Sequence, residues 1–321
     1  MRNLMATLRL RKTGYAMPIS HLLFVASAFL LALGSVLAKY LLSLDSSPTS
    51  VIDPLPFLTL QLIGGVVFLI NVRLAKGWRM EPFSLLVRPA FAGLILGAGS
   101  VGTIMALALV SASEASVVFA TQPVLTLGLA WVLLGERFGP AVAILCLAAV
   151  GGVIVIVVGG SNDESPFRFA GLAFALMSTV CAALYTVWMR GLSGKVDFLT
   201  ALIVVQATAC FLSAVVWSCT AWMDITPTRI GPVFLAGSAL GTGAIYYGAA
   251  FYIYLIGLQH TEASKAGIYL SLVPVFAIGL AWVVLAERLG NSQWLGAIIV
   301  IAAVAGISTI SSKDERTASE S

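Results

Sequence analysis

The sequence predicts an all-α membrane protein with ten transmembrane helices arranged as two inverted five-helix repeats. Three observations lead to this fold class. The first is composition: 60% of the 321 residues are hydrophobic, 10% are charged, and the mean hydropathy is +1.01. Since about a quarter of the residues in a soluble domain are charged, this composition indicates a chain that lies in lipid.

The second observation is a series of apolar runs of about 20 residues, the length that crosses a ~30 Å hydrocarbon layer. These runs must be helices, because an unpaired backbone amide in lipid costs several kcal/mol, and they lack the alternation of membrane β-strands. The ten predicted spans are residues 20–43, 55–74, 88–110, 112–134, 139–159, 168–189, 198–222, 232–256, 262–285 and 292–311.

The third observation is an internal repeat with an offset of 151 residues. The segment GLAWVLLGER at 128–137 returns as GLAWVVLAER at 279–288, and about 13 of 30 positions aligned around it are identical. The repeat predicts that two halves have the same fold. We assign residues 1–19 to a cytoplasmic N-terminal segment, 20–160 to the first repeat, 161–167 to an extracellular linker, 168–311 to the second repeat and 312–321 to a disordered tail.

The basic residues predict the orientation of the chain. With a cytoplasmic N-terminus, 14 of the 18 Lys and Arg residues lie inside, which follows the positive-inside rule; the others are Lys39, Arg168, Arg229 and Arg288. Both termini are then cytoplasmic, in the inner or plasma membrane of the cell. Because each repeat has five spans, the second begins on the opposite side, so the halves are inverted. The basic N-terminus resembles a secretory signal, but the apolar run after it is too long.

Polar residues within the spans are candidates for a substrate path, because an amide or hydroxyl in lipid must face protein or water. Gln61 in the second span suits either packing between helices or substrate contact. Ser100 and Thr103 share a face of the third span, where their hydroxyls bond back to their own helix or line a cavity. Lys39, at the end of the first span, suits a snorkelling anchor or an ion-pair partner near the path.

The fourth span carries a polar stripe that ends in a proline. Glu114, Thr121 and Gln122 share a helix face that must point at protein or water. Pro123 then removes a backbone hydrogen bond near mid-membrane, and its repeat partner is Pro274. We expect either a kink for packing or a broken helix at the repeat interface, where transporter sites lie, with both prolines as candidate hinges.

The eighth and ninth spans complete the candidate site. Lys265 and Tyr269 lie in the ninth span, and Lys265 is the repeat partner of Glu114. Their opposite charges suit the two ends of a zwitterion, or solvated helix ends, since each lies near a helix mouth. In the eighth span, Thr242 and Tyr246 share a face that suits ammonium or aromatic groups, although rings at helical spacing also suit a core.

The repeated pattern of Ser-x-Ala, mid-helix proline, Gly-Leu-Ala-Trp and Glu-Arg, followed by a glycine-bearing closing helix, resembles the EamA domain of the drug/metabolite transporter superfamily. The resemblance covers nearly the whole chain as two domains, and Lys39 takes the place of the family's lysine at the end of helix one. It implies a secondary transporter, often an exporter of amino acids or related metabolites, whose helices three, four, eight and nine line a central cavity. Gln61 departs from the arginine that many members carry in helix two.

The sequence therefore favours a transporter that moves a small-molecule substrate by alternating access, with no cofactor, no metal site and no nucleic-acid partner. An enzyme would need clustered His, Asp or Glu, and the chain has two His and no acid cluster. Alternatives are export of drugs or of cationic or lipophilic compounds, and transport of sugars or nucleotide sugars. Glycine steps at 93–97 and 237–241 let helices approach closely, and they leave open whether copies associate into a homo-oligomer.

Overall fold

The computed structural model describes residues 17–43, 53–77, 82–134, 139–159, 166–190, 197–223, 233–258, 272–288 and 290–320. All the regular elements in these ranges are helical. In chain order they are α1 (Met17–Ser43), α2 (Pro54–Lys76), α3 (Phe83–Leu109), α4 (Ala112–Phe119), α5 (Gln122–Leu134), α6 (Pro140–Gly159), α7 (Pro166–Arg190), α8 (Phe198–Trp222), α9 (Val233–Gly243), a π-helical segment (Ala244–Ala250), α10 (Phe251–Leu258), α11 (Val273–Leu285) and α12 (Asn291–Glu320).

These helices follow the predicted spans and confirm the all-α membrane fold. Six helical stretches of 22 to 26 residues are long and apolar enough to cross a membrane; they correspond to α1, α2, α3, α7, α8 and the eighth span. Shorter apolar stretches lie in α6, α11 and α12. Two predicted spans are interrupted: the fourth is divided into α4 and α5, and the eighth contains the π segment between α9 and α10.

Contacts at one end of the bundle show that the repeats are inverted. α1 and α3 both end there, because Lys39 Nζ donates to the carbonyl oxygens of Leu107 and Val110 at 2.7 and 2.8 Å. α4 begins there and α11 ends there, because Glu287 accepts from the backbone of Ala112. α7, the first helix of the second repeat, also begins there. Corresponding spans of the two repeats therefore run in opposite directions. The first span (α1) ends where the sixth (α7) begins, and the fourth span begins with α4 where the ninth ends with α11.

The two repeats are packed into each other. α3 lies against α7 and α8, α2 lies against α8, α9 and the π segment, and α6 lies against α12. Each of these contacts joins the first repeat to the second. The main buried cluster likewise combines Phe57, Leu62 and Leu107 of the first repeat with Leu235 and Tyr247 of the second. Burial of shared apolar surface therefore holds the halves together, while their backbones meet at glycines.

Glycines allow the closest approaches between these helices. A Cβ added at Gly93 would lie 2.5 Å from a backbone oxygen of α8, as expected for the step 93–97. The step 237–241 is different, because no atom in the described part of the chain lies within 4 Å of a Cβ at either glycine. No described residue therefore packs closely against this step. Gly243 does make a close contact, since a Cβ there would overlap the carbonyl oxygen of Gln61 on α2.

The C-terminal helix is longer than expected. α12 continues to Glu320, whereas we expected a disordered tail after Ser311. The segment from 307 to 321 contains no glycine or proline, so its sequence offers no residue that ends a helix.

We predict that Gly243→Ala destabilises the protein by about 1–3 kcal/mol, because the new methyl group meets backbone that cannot rotate away. Gly237→Ala is the matched control, with open space around its Cβ among the described residues. The measurement is the thermal unfolding midpoint of both variants in the same detergent. Equal midpoints for the two variants would contradict the tight contact between α2 and the end of α9.

Candidate functional site

The fourth span is broken in its interior. α4 ends at Phe119, Ala120 and Thr121 form a turn, and α5 begins at Gln122 with Pro123 as its second residue. Because proline has no N–H, it cannot donate to the carbonyl oxygen four residues earlier, that of Phe119. The hydroxyl of Thr121 is used within the break, donating to Val118 O at 2.7 Å. The structure confirms the broken helix predicted from Pro123.

The second repeat also has a helix with proline as its second residue, at the equivalent position. α11 begins at Val273 with the buried Pro274 as its second residue, just as α5 begins with Gln122 and Pro123. Lys265 and Tyr269, which the sequence places before this proline, lie outside the described residues. The two prolines therefore begin corresponding helices of the inverted halves.

Gln61 and Thr242 form a direct contact between the repeats. Gln61 Nε2 on α2 donates to Thr242 Oγ1 on α9 at 3.1 Å, and Thr242 Oγ1 donates to Ala239 O at 3.0 Å. Both side chains are buried. This bond joins the two repeats and brings together two of the predicted site residues.

The π segment places two tyrosines next to this contact. The rings of Tyr246 and Tyr247 meet edge to face with centroids 4.8 Å apart. Tyr246 packs against α1, where a Cβ at Gly34 would lie 2.7 Å from Tyr246 Cβ. Tyr247 is buried, and its side chain lies near that of Ser100 on α3. Insertions of π geometry are frequent at functional sites, because the extra residue redirects side chains.

Gln206 on α8 completes this region. It is fully buried, and its Nε2 donates to the main-chain oxygen of Tyr247 at 3.4 Å. We call Gln61, Ser100, Gln206, Thr242 and Tyr247 the interior polar group. It joins α2, α3, α8, α9 and the π segment, and all its side chains are uncharged.

Two other predicted site residues contact α7 instead. Thr103 Oγ1 lies 2.7 Å from Ser178 Oγ and donates to Gly99 O in its own helix at 3.1 Å. Gln122 Nε2 donates to Thr186 Oγ1 at 3.3 Å. Thr103 and Gln122 therefore connect α3 and α5 to α7 of the second repeat by hydrogen bonds, and neither belongs to the interior polar group.

Glu114 forms an ion pair at the end of the bundle. Arg168 Nη2 on α7 lies 2.9 Å from Glu114 Oε1, and both side chains are about nine-tenths buried. Arg168 Nε also donates to the same oxygen at 3.2 Å. The interpretation of Glu114 as a solvated helix end is wrong, because a carboxylate buried this deeply needs a partner, and Arg168 of the other repeat provides it.

Glu287 caps the N-terminus of α4 from across the repeat interface. Its two carboxylate oxygens accept from the backbone N–H groups of Ala112 and Ser113 at 2.9 and 3.1 Å and from Ser113 Oγ at 3.0 Å. Ser111 accepts from Glu114 N as the N-cap residue. The repeated Glu-Arg motif pointed to Glu287, but the sequence alone did not show which helix it caps.

Lys39 caps a helix C-terminus, whereas Glu287 caps a helix N-terminus. Its bonds to Leu107 and Val110 neutralise carbonyl oxygens at the C-terminus of α3, where a positive charge is favoured by the helix dipole. We call the region formed by Lys39, Glu114, Arg168 and Glu287 the capped end. Its two cations and two carboxylates balance, and two of its three interactions join one repeat to the other.

Comparison with protein families finds an EamA-like transporter domain twice, at residues 18–158 and 169–309. The chain belongs to the EamA-like transporter family. It is therefore a membrane transporter of the drug/metabolite kind, with one family domain in each repeat. No group of three or more potential metal ligands occurs among the described residues of this EamA protein.

Relatives of this EamA protein carry transporter names without a substrate. It is 26% identical over 283 residues to the uncharacterized transporter YvbV of Bacillus subtilis, covering 80% of this chain and 83% of that one. It is 26% identical over 252 residues to the uncharacterized transporter YetK of the same organism, which covers 76% of this chain and 74% of YetK. It is 28% identical over 198 residues to an uncharacterized transporter of Archaeoglobus fulgidus, which covers 60% of this chain and 66% of that one. A solved crystal structure that is 24% identical has a TM-score of 0.57 and covers 88% of this chain and 98% of that one, which supports the fold alone.

We predict that Arg168→Gln destabilises the protein by about 3–5 kcal/mol, because it leaves Glu114 buried without its charge partner. The double variant Glu114→Gln/Arg168→Gln should recover part of that loss, since no unpaired charge remains. Arg73→Gln is the control: its partner Asp197 is 42% exposed, so the loss should be within about 1 kcal/mol. Unfolding midpoints of the four proteins measure this, and a double variant no better than Arg168→Gln would contradict the pair.

Proposed function

We propose that this EamA protein exports amino acids or related small metabolites across the cell membrane by alternating access of its two repeats. The observation that supports the proposal is the capped end, where inverted repeats exchange charged partners and close one end of the bundle. Rocking one repeat against the other separates Glu287 from α4 and Arg168 from Glu114 together. Each repeat also has a helix that begins at a proline, Pro123 or Pro274, where bending breaks few hydrogen bonds.

The capped end faces the cell exterior in this proposal. The positive-inside distribution places both termini in the cytoplasm, and α1 then ends outside with Lys39. Arg73 and Lys76 at the other end of α2 face the cytoplasm. A substrate enters from that side while the capped end is closed, and it leaves when the charges separate. Water that enters the opened end can hydrate the separated charges, so opening is less costly there than deep in the bundle.

The interior polar group suits a small substrate with both hydrogen-bond donors and acceptors. Gln61, Ser100 and Thr242, with the neighbouring Tyr246, are the proposed binding residues. Phosphate-bearing substrates such as nucleotide sugars require several basic side chains in a site. The interior polar group has none, and Lys39 and Arg168 are engaged at the capped end. Amino acids, with an ammonium group and one carboxylate, fit this chemistry better.

Export of cationic or lipophilic compounds is the second candidate. The observation that favours it is the group of rings beside the interior polar group, where Tyr247 and Phe251 stack with centroids 6.5 Å apart and Tyr246 lies edge-on to both. Aromatic faces attract cations and bury apolar groups. A substrate of this class would bind chiefly to the rings and would depend little on Gln61.

We predict that cells expressing the protein tolerate toxic amino acids and their analogues better than cells with an empty vector, with little change toward cationic dyes. Pro274→Ala and Pro123→Ala should both reduce this tolerance while inserting normally, because they remove the proposed hinges. Growth inhibition across a concentration series, with immunoblots of the membrane fraction, measures both effects. Tolerance to dyes alone would favour the second candidate, and full tolerance in both proline variants would remove the hinge from the mechanism.

A further inference from the structure

Among the residues that the structure describes, the side-chain oxygen of Gln206 has no hydrogen-bond partner, although Gln206 is fully buried. No donor in the described part of the chain lies within hydrogen-bonding distance of Gln206 Oε1. The same amide uses its nitrogen, which donates to Tyr247 O in the π segment. Since that carbonyl oxygen is itself an acceptor, it cannot pair with Oε1. A buried acceptor without a partner is unfavourable, and among the described residues Oε1 has none.

Tyr247, whose carbonyl oxygen is the partner of the Gln206 amide nitrogen, lies where four spans meet. Its main chain contacts Gln206 on α8, its Cβ lies against Gly65 on α2, and its side chain lies near Ser100 on α3. The ring of Tyr247 stacks with that of Phe251. Neutral oxygens and aromatic faces both attract a cationic N–H donor, and the bond from such a donor to an amide oxygen is charge-assisted.

We propose that Gln206 Oε1 binds the ammonium group of the transported substrate, and so selects compounds that carry a primary or secondary amine. The inference rests on the proposed function and names the substrate chemistry that the site recognises. Because Gln206 is enclosed here, the ammonium group reaches it only when helices packed against α8 move. α2 and α3 of the first repeat lie against α8, and alternating access moves them relative to it.

The structure offers two matched controls for this proposal. Trp217 Nε1 on the same helix is also buried without a partner among the described residues, but it lies about three turns away from Gln206. Gln61 is a buried amide on the neighbouring helix, but its nitrogen has a 3.1 Å partner in Thr242. Trp217→Phe therefore removes an unpaired atom elsewhere, and Gln61→Leu removes a paired amide nearby.

The first arm of the test needs no substrate. The melting temperature of the full-length protein in detergent is compared for Gln206→Leu, Trp217→Phe and Gln61→Leu. We expect Gln206→Leu and Trp217→Phe to melt close to or above the wild type, since each removes an unsatisfied atom, and Gln61→Leu to melt lower. If Gln206→Leu melts as low as Gln61→Leu, then Gln206 already has its partners in the empty protein and the proposal is overturned.

The second arm uses proteoliposomes loaded with each standard amino acid, which exchange against labelled amino acid outside. For each amino acid transported, the carboxylic acid that lacks its amino group is tested as a competitor. We expect no competition from these acids, a loss of about tenfold or more in exchange for Gln206→Leu, and wild-type exchange for Trp217→Phe. Equal competition by the acids, or unchanged exchange in Gln206→Leu, would overturn the proposal and leave amino-acid export intact. If no amino acid is exchanged, the proposed function fails, and the melting comparison alone decides whether Gln206 has an open acceptor.

Discussion

The structure depends on the capping of the N-terminus of α4, which lies at the interface between the two repeats. Breaking the fourth span leaves α4 only eight residues long, and its first N–H groups have no partner within the helix. Ser111 accepts from one of them, and Glu287 of the other repeat accepts from two. The negative charge of Glu287 also suits the positive end of the helix dipole. The broken helix of the first repeat is therefore completed by the second.

This exchange of partners links the fold to transport. Glu114 and Arg168 cross the same boundary as Glu287, and α1, α3, α4, α7 and α11 all meet there. A rotation between the repeats would therefore break several charged contacts at once. This favours two states of the capped end, fully closed and fully open, over states in which only some of the contacts are broken. In the proposed mechanism, the apolar and glycine contacts elsewhere can slide without leaving a charge unpaired, so they would hold the repeats together during that rotation.

The sequence predicted the architecture because its signals are strong and local. The length of the apolar runs predicted the spans, and the 151-residue offset predicted the repeat. The odd number of spans in each repeat predicted that the repeats are inverted. Pro123 predicted the break, since a missing N–H has the same effect in any setting. The candidate site was less predictable: Glu114 turned out to be buried because Arg168, distant in sequence, lies opposite it. The contacts of Gln206 and Glu287 could not be predicted, because they depend on which helix lies opposite each residue, and hydrophobic periodicity carries no information about such partners.

The most direct test of the account is whether Glu287 keeps the capped end closed toward the cell exterior. A protein without its four native cysteines, Cys146, Cys181, Cys210 and Cys219, receives a single cysteine at Ala115, which is fully buried on α4. Intact cells are then treated with a maleimide that cannot cross the membrane. The account predicts slow labelling that becomes about tenfold faster or more with Glu287→Gln, which weakens the cap. Equal rates with and without Glu287, or labelling only after the cells are permeabilised, would contradict it.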